Sequence, residues 1–203
     1  MAYRTKTYIA ANWDGDKNAI DQLHAWNDGK KWSLSFTDAH DLTQARDNSL
    51  NCSIKASLAT RMDASKTFIL IVGSGTKSRR AGECTYCSNY DNGKCKTGHT
   101  VSNDSFIEYE CKKAVRDSEN IKLVVLYNAA TIDKNKCPDA IKAYGTHAAM
   151  QKMVDGKHYW DYESVKTALG QQQLCQNHMI FGMYIFTLRS VSKHSRESKI
   201  KSP

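Results

Sequence analysis

Short apolar runs alternate with amphipathic segments along most of the chain. The runs at 67–73 and Lys122–Tyr127 contain almost no interrupting polar residues, which is typical of strands covered on both faces in a parallel sheet. Residues 6–11 predict a first strand, and the alternation over 32–36 predicts a second strand with one more exposed face. A short edge strand is predicted at 147–150.

Four helices are predicted between and after these strands. The first ends near the turn-forming residues 27–29 and the second near Ala64. Ser105 and Glu108 form a capping box that begins the third helix, and Asp161 is the N-cap of the fourth. Apolar residues recur three and four positions apart in the first, second and fourth helices: Ile20, Leu23 and Trp26; Ile54, Leu58 and Met62; Tyr162, Val165 and Leu169.

Strand and helix therefore alternate along the chain, which predicts a three-layer α/β domain with a mostly parallel central sheet. This domain is predicted to span residues 1–170. Residues 171–203 form a C-terminal extension, which contains an apolar run at 179–188 and a tail rich in serine, lysine and arginine. A cysteine-rich insert at 82–104 separates the central strand from the third helix.

The composition is that of a globular protein, with 40% hydrophobic and 25% charged residues and a formal net charge of +8. This charge permits acidic partners such as nucleotides or nucleic acid and selects none of them. Nucleic acid is disfavoured because no basic platform with interleaved aromatic residues is evident. The chain shows no signal peptide, and the apolar run at 179–188 is too short to span a bilayer. We therefore expect a cytoplasmic protein with no membrane partner.

In a parallel sheet, binding sites form beyond the carboxyl ends of the strands. The loops at 12–16, 37–46 and 74–80 are predicted to meet there, after the first three strands. None of them is a Walker A motif or a G-x-G-x-x-G fingerprint, which argues against kinases and dinucleotide-binding dehydrogenases.

Glu110 occupies an unusual position in the third helix. It borders the apolar stripe formed by Ile107, Cys111 and Ala114 and does not lie on the opposite, polar face. Position alone favours an ordinary boundary glutamate that reaches water or pairs with a lysine.

Four segments together resemble a known family. They are Tyr8-Ile9-Ala10-Ala11-Asn12, the run 68–76, the pair Tyr109-Glu110 and Val124-Val125-Leu126-Tyr127. In their order and spacing the chain resembles, over about 6–169, a bacterial TIR-like domain of the kind found in the Thoeris anti-phage defence system. The resemblance implies a flavodoxin-like fold, cleavage of NAD at the nicotinamide–ribose bond, and in some members cyclisation to a signalling nucleotide. It also implies a homo-oligomer and a separate effector that responds to the product.

The resemblance maps the family's catalytic glutamate to Glu110. Because the insert intervenes, Glu83 and Glu108 are rival carboxylates. One carboxylate is chemically sufficient: nicotinamide leaves as a neutral molecule, so no acid is needed, and an anion under the ribose stabilises the developing cation. The alternative function is a non-catalytic self-association or adaptor module with the same fold.

The remaining substrate-binding residues are predicted from the same loops and helix. Trp13 either stacks on a substrate ring or packs on the first helix, and Arg46 either pairs with the pyrophosphate or remains solvated. Lys77, Arg79 and Arg80 are interpreted as a solvated basic loop. The predicted substrate-binding set is Ala10, Asn12, Trp13, Arg46, Ser74, Gly75 and Tyr109.

The cysteine and histidine spacing in the insert predicts a structural zinc site. Cys84 and Cys87 form a C-x-x-C pair, and Cys95 and His99 follow after a predicted turn at 91–93. Cys111 is an alternative fourth ligand in place of His99. Free thiols, or a redox pair at Cys84 and Cys87, are the competing interpretations. The other cysteines, Cys52, Cys137 and Cys175, are expected to be isolated small core or surface residues.

Overall fold

The computed structural model describes residues 4–30, 32, 34–39 and 50–170. Within them the elements follow one another as β1 (Lys6–Ala10), α1 (Lys17–Asp28), α2 (Asn51–Asp63), β2 (Ser65–Val72), β3 (Tyr90–Asp91), β4 (Lys94–Cys95), α3 (Phe106–Arg116), β5 (Lys122–Tyr127), β6 (Thr146–Ala149), β7 (Gln151–Val154), β8 (Lys157–Trp160) and α4 (Tyr162–Ala168).

The central sheet has the strand order β1-β2-β5-β6, and every neighbouring pair is parallel. Ile69 of β2 is paired with Ile9 on one side and Val124 on the other, so β2 lies in the middle of the sheet. β5 and β6 complete the sheet, and β6 confirms the predicted edge strand. The carboxyl ends of all four strands consequently meet along one edge of the sheet.

Helices cover both faces of the sheet. On one face Phe68, Leu70 and Val125 pack against the apolar sides of α2 and α3. Met62 of α2 and Ile107 of α3 belong to the same cluster. The neighbouring strand residues point the other way, because side chains alternate along a strand, and they pack against α1 and α4. Two apolar layers therefore separate three layers of structure, and the predicted flavodoxin-like three-layer α/β fold is confirmed.

The prediction of a second strand at 32–36 is wrong. Residues 34–36 form no strand; the backbone N–H of Leu34 donates to Trp26 O at 3.1 Å, and that of Phe36 donates to Asn27 Oδ1 at 2.9 Å. These bonds tie the segment to the end of α1. The chain then forms a single parallel bridge beside β1, where the main chain of Thr7 bonds with Thr37 and Ala39 on either side.

Two short antiparallel hairpins form two-stranded sheets separate from the central sheet. In the insert, β3 and β4 are joined through Asn92 and Gly93, which both have positive φ, as the predicted turn requires. The second hairpin, β7–β8, was not predicted, although its turn residues Asp155 and Gly156 have the same left-handed geometry. An Asp-Gly pair between strand-forming residues is the signal that indicates such a turn.

In the described part of the chain no helix is both long and apolar enough to cross a membrane. The predicted C-terminal extension, with its apolar run at 179–188, lies outside the described residues.

Candidate functional site

A cavity of about 290 Å³ opens at the carboxyl end of β1, between the loop that follows this strand, helix α2 and the start of α3. Its walls combine apolar side chains with two arginines and two carboxylates. The described lining residues are Ala11, Asn12, Trp13, Asp14, Ile54, Leu58, Arg61, Arg79, Ala81, Phe106, Ile107 and Glu110.

Glu110 reaches this cavity because of how α3 begins and packs. Ser105 is the N-cap, and its hydroxyl oxygen accepts the backbone N–H of Glu108 at 3.1 Å, as the capping box predicts. Ile107 and Cys111 then face the core, and this orientation turns Glu110 towards the sheet edge. The glutamate is only 6% exposed, so its carboxylate is buried at the cavity wall.

The carboxylate of Glu110 accepts a buried hydrogen bond from a residue near the start of the chain. The hydroxyl of Tyr8, in β1, donates to Oε1 of Glu110. Burial, followed by the charge of Glu110, raises the pKa of Tyr8 well above its usual value, while nearby Arg61 acts in the opposite direction. The tyrosine is therefore protonated at neutral pH and able to donate.

The two rival glutamates occupy different environments. Glu108 is half exposed and lies 3.5 Å from Lys112 Nζ, on the outer face of α3. Glu83 is buried, but its carboxylate accepts a hydrogen bond from Arg80 at 3.1 Å at the base of the insert. Neither is among the described residues that line the cavity, whereas Glu110 is.

Two of the predicted substrate-binding residues, Asn12 and Trp13, line the cavity with Glu110. Trp13 leaves 45% of its surface exposed at the rim. The amide oxygen of Asn12 is buried and has no hydrogen-bond partner within the part of the chain described here. An acceptor in this state favours a ligand that brings a hydroxyl or an amide donor.

The other predicted substrate-binding residues are not among the described lining residues. Ala10 is fully buried in the sheet, beside the lining residue Ala11. Tyr109 lies on another side of α3, where Lys55 Nζ is 5.7 Å from its ring centroid, and it borders a separate groove with Ser102. Ser74 and Gly75 belong to the loop after β2. Arg46 lies outside the described residues.

Several residues of the cavity were not predicted as site residues, among them Arg79, Phe106 and Arg61. Arg79, expected to be a solvated loop residue, lines it and donates to Asp14 at 2.9 Å. Phe106 closes it at the start of α3. Arg61 was also missed, although a signal existed: it follows Ile54 and Leu58 at helical spacing, and all three share the cavity face of α2.

A second polar cluster fixes the conformation of the loop after β2. Buried Asp16 accepts hydrogen bonds from Asn128 at 3.0 Å and from the Thr76 hydroxyl at 3.4 Å. Thr76 in turn accepts the backbone N–H of Gly73 at 2.8 Å. A Cβ on Gly73 would lie 1.9 Å from the Asp16 carboxylate, so only glycine permits this approach.

The insert gathers its predicted metal ligands around a second, much smaller cavity. Cys84, Cys87, Cys95 and His99 all line it, together with Cys52 of α2. Across the described residues, however, no three His, Cys, Asp or Glu side chains are already arranged as the ligands of a metal ion. The prediction of Cys111 as an alternative ligand is wrong. Cys111 belongs to the apolar stripe of α3 and is fully buried in the core, so it does not line this cavity.

Comparison with known proteins gives one family. Residues 8–83 match the family model described as "Thoeris protein ThsB, TIR-like domain". The match confirms the predicted resemblance to a Thoeris-type TIR-like domain over β1, α1, α2 and β2, and it ends within the insert, before the helix that carries Glu110. No curated protein matches the chain.

Proposed function

Given a TIR-like domain of the Thoeris type, we propose that this protein is an NAD-consuming enzyme of bacterial anti-phage defence that cleaves the nicotinamide–ribose bond, with Glu110 as the catalytic carboxylate. The observation that carries the proposal is the buried Glu110 carboxylate in the wall of a cavity at the strand ends. A carboxylate removed from water is costly unless it has a role or a partner, and active sites are where such groups collect.

The reaction needs a single anion. The bond between ribose C1′ and the nicotinamide nitrogen breaks with its electron pair leaving on nicotinamide, which thereby becomes neutral. Positive charge develops on the ribose, and the Glu110 carboxylate stabilises it at short range in a cavity of low polarity. Water then attacks C1′ and releases a proton, or a nitrogen of the adenine attacks and closes a ring.

The other lining residues suit the remainder of NAD. Arg61 of α2 and Arg79 of the loop after β2 supply the positive charge that a diphosphate requires. Asn12 offers its buried amide oxygen to a ribose hydroxyl or to the carboxamide, and Trp13 offers a ring face at the rim. Tyr8 acts as a positioning residue, because its hydroxyl fixes the orientation of the Glu110 carboxylate.

The rest of the proposal follows from the resemblance. The released nucleotide acts as a signal for a separate effector, the enzyme works in the cytoplasm, and it assembles into a homo-oligomer when it is active.

The test is nicotinamide release by three glutamate variants and the wild-type protein. Purified protein is incubated with NAD. NAD is also followed in cells that express the protein during phage infection, so that any trigger supplied by the phage is present. Glu110→Gln keeps the shape and removes the charge, so it should abolish release. The matched control Glu108→Gln, on the exposed face of the same helix, and Glu83→Gln should leave it unchanged.

Full turnover by Glu110→Gln would refute the catalytic assignment. Loss of turnover in Glu83→Gln alone would transfer the role to the insert. A wild-type protein that folds and self-associates, yet releases no nicotinamide in either setting, would favour the adaptor function instead.

A further inference from the structure

The cysteine-rich insert has almost no core of its own. Between Thr85 and Thr100 no residue is buried, and the regular structure of the insert consists of a single 3-10 turn at Cys84–Tyr86 and the hairpin β3–β4, with two residues in each strand. Tyr86, its largest apolar side chain outside the hairpin, is 72% exposed. A two-stranded hairpin of this size does not stay folded in water by itself, so a segment of this kind requires a covalent or metal cross-link.

The backbone of the insert brings its sulfur atoms to one place. The C-x-x-C segment closes in a tight turn, in which Cys87 N–H donates to Cys84 O at 2.9 Å. Cys95 lies in β4 and is paired with Tyr90, whose N–H donates to Cys87 O at 3.0 Å. A further turn, from Gly98 N–H to Cys95 O at 3.0 Å, precedes His99.

These donors surround a cavity of about 10 Å³, which has room for a single ion. We propose that the insert binds one structural zinc ion through Cys84, Cys87, Cys95 and His99. Three thiolates and an imidazole form a complete tetrahedral set for zinc, with no position left open for catalysis.

The side chains must rotate to close around the ion. Cys95 Sγ lies 3.1 Å from Thr97 Oγ1, a hydrogen bond that metal binding would replace. Cys84 Sγ already accepts the N–H of Ser102 at 3.2 Å, an outer contact of the kind that supports thiolate ligands.

Cys52 is the competing fourth ligand, because it lines the same cavity from the first turn of α2. We assign the position to His99 because it follows Cys95 after a single turn, as in paired zinc knuckles. The experiment below distinguishes Cys52 from His99 as the fourth ligand.

Zinc at this position would stabilise the wall of the larger cavity. Asn51 of α2 donates to Glu83 O at 2.9 Å, and Lys55 Nζ donates to Asp104 O at 2.8 Å, so α2 is bonded to both ends of the insert. Ala81 and Phe106, which flank the insert, line the cavity that contains Glu110. The insert is thus attached to two of the elements that form the site.

The test measures metal in the full-length protein purified under reducing conditions. Elemental analysis should find one zinc per chain, and replacement by Co²⁺ should give the visible absorption of tetrahedral thiolate-bound cobalt. Cys87→Ser and Cys95→Ser should lose the metal. His99→Ala should lose it or shift the cobalt spectrum, whereas Cys52→Ser should keep both. Cys137→Ala is the matched control, because Cys137 is buried in the apolar core and is not among the residues that line the small cavity; this variant should retain one zinc per chain.

A protein without zinc that also fails to bind added Zn²⁺ or Co²⁺ would overturn the proposal. So would a Cys84–Cys87 disulfide found by mass spectrometry before reduction, which would indicate a redox pair. Loss of metal from Cys52→Ser with retention in His99→Ala would overturn the assignment of the fourth ligand. None of these readouts depends on NAD cleavage.

Discussion

Glu110 and Tyr8 form a pair that explains how a carboxylate is tolerated inside the protein. Both side chains are almost completely buried, and the tyrosine hydroxyl donates to the glutamate from a strand 102 residues away in the chain. A hydrogen bond to a charged group is stronger than one between neutral groups, and it also limits the rotamers of the acceptor. The pair therefore lowers the cost of burial and orients the carboxylate towards the cavity.

Replacing Tyr8 with phenylalanine should separate orientation from binding. The ring and its stacking on Phe68 remain, and only the hydroxyl is lost. We expect kcat for nicotinamide release to fall by about 10- to 100-fold, since hydrogen bonds to charged groups contribute about 1.5–3 kcal/mol, while KM changes little. Steady-state kinetics measure both constants. An unchanged kcat would show that Tyr8 has only a packing role.

Asp16 should make the stability of the domain depend on pH in a definite direction. Burial raises the pKa of its carboxyl, and the hydrogen bonds from Asn128 and Thr76 oppose this effect only in part. The folded protein then holds the proton more tightly than the unfolded chain does. This contribution to stability is complete below the unfolded pKa and is lost as the pH rises through the folded pKa.

Asp16→Asn removes this titration. The free energy of unfolding of the wild type, relative to the variant, should decrease as the pH rises from about 3 to about 7 and then remain level. Urea denaturation of both proteins at several pH values measures the difference. A difference that grows in favour of the wild type with rising pH would contradict the assignment.

At the scale of the elements, the junction between the insert and α3 decides where the helix that carries Glu110 begins. Gly82 has φ of +102°, and the N–H of Phe106 donates to Ala81 O at 2.8 Å across the base of the insert. A Cβ at Gly82 would lie 2.6 Å from the Phe106 ring and 2.7 Å from its backbone nitrogen. The backbone atom cannot move without breaking the bond to Ala81.

Gly82→Ala should therefore destabilise the protein by about 1–3 kcal/mol and reduce nicotinamide release, because Phe106 lines the cavity. Gly93→Ala is the matched control: its φ of +83° is also left-handed, but no atom lies within 4 Å of a Cβ there. It should cost less and leave activity intact. Urea denaturation and the nicotinamide assay compare the two, and equal effects would argue against the contact with Phe106.

At the scale of the molecule, the two apolar layers account for the folding of one α/β domain. Both described clusters are formed by residues between Tyr8 and Leu169, on opposite faces of the four parallel strands. Sheets of this type need both faces covered, and α1 with α4 and α2 with α3 provide this cover. The boundary near residue 170 stays a prediction, since residues 171–203 lie outside the described part of the chain.

Removal of residues 171–203 tests that boundary. A protein ending at Gly170 should be soluble and should unfold cooperatively with the same thermal midpoint as the full-length chain, because both described apolar clusters are formed by residues up to Leu169. Circular dichroism and calorimetry measure this. A clearly lower midpoint, or aggregation, would show that the domain continues beyond Gly170.

The pattern of apolar residues was sufficient to predict the layered fold, because the period at which these residues recur is a local property of the chain. It located the runs that became β1, β2, β5 and β6, the four helices and the turn at Asn92. It failed at 32–36, where alternation resembles a strand but the bonds to Trp26 and Asn27 hold the segment against α1.

Only the tertiary structure decided which residues share a cavity. Sequence alone suggested Glu110, Asn12 and Trp13, but it could not bring Tyr8 to Glu110 or recognise Arg61 and Arg79 as neighbours of that carboxylate, because these contacts join elements far apart in the chain. It also left Cys111 open as a metal ligand until the packing of α3 buried it in the core. Residue types and their spacing determine which elements form, whereas the packing of those elements determines which side chains meet.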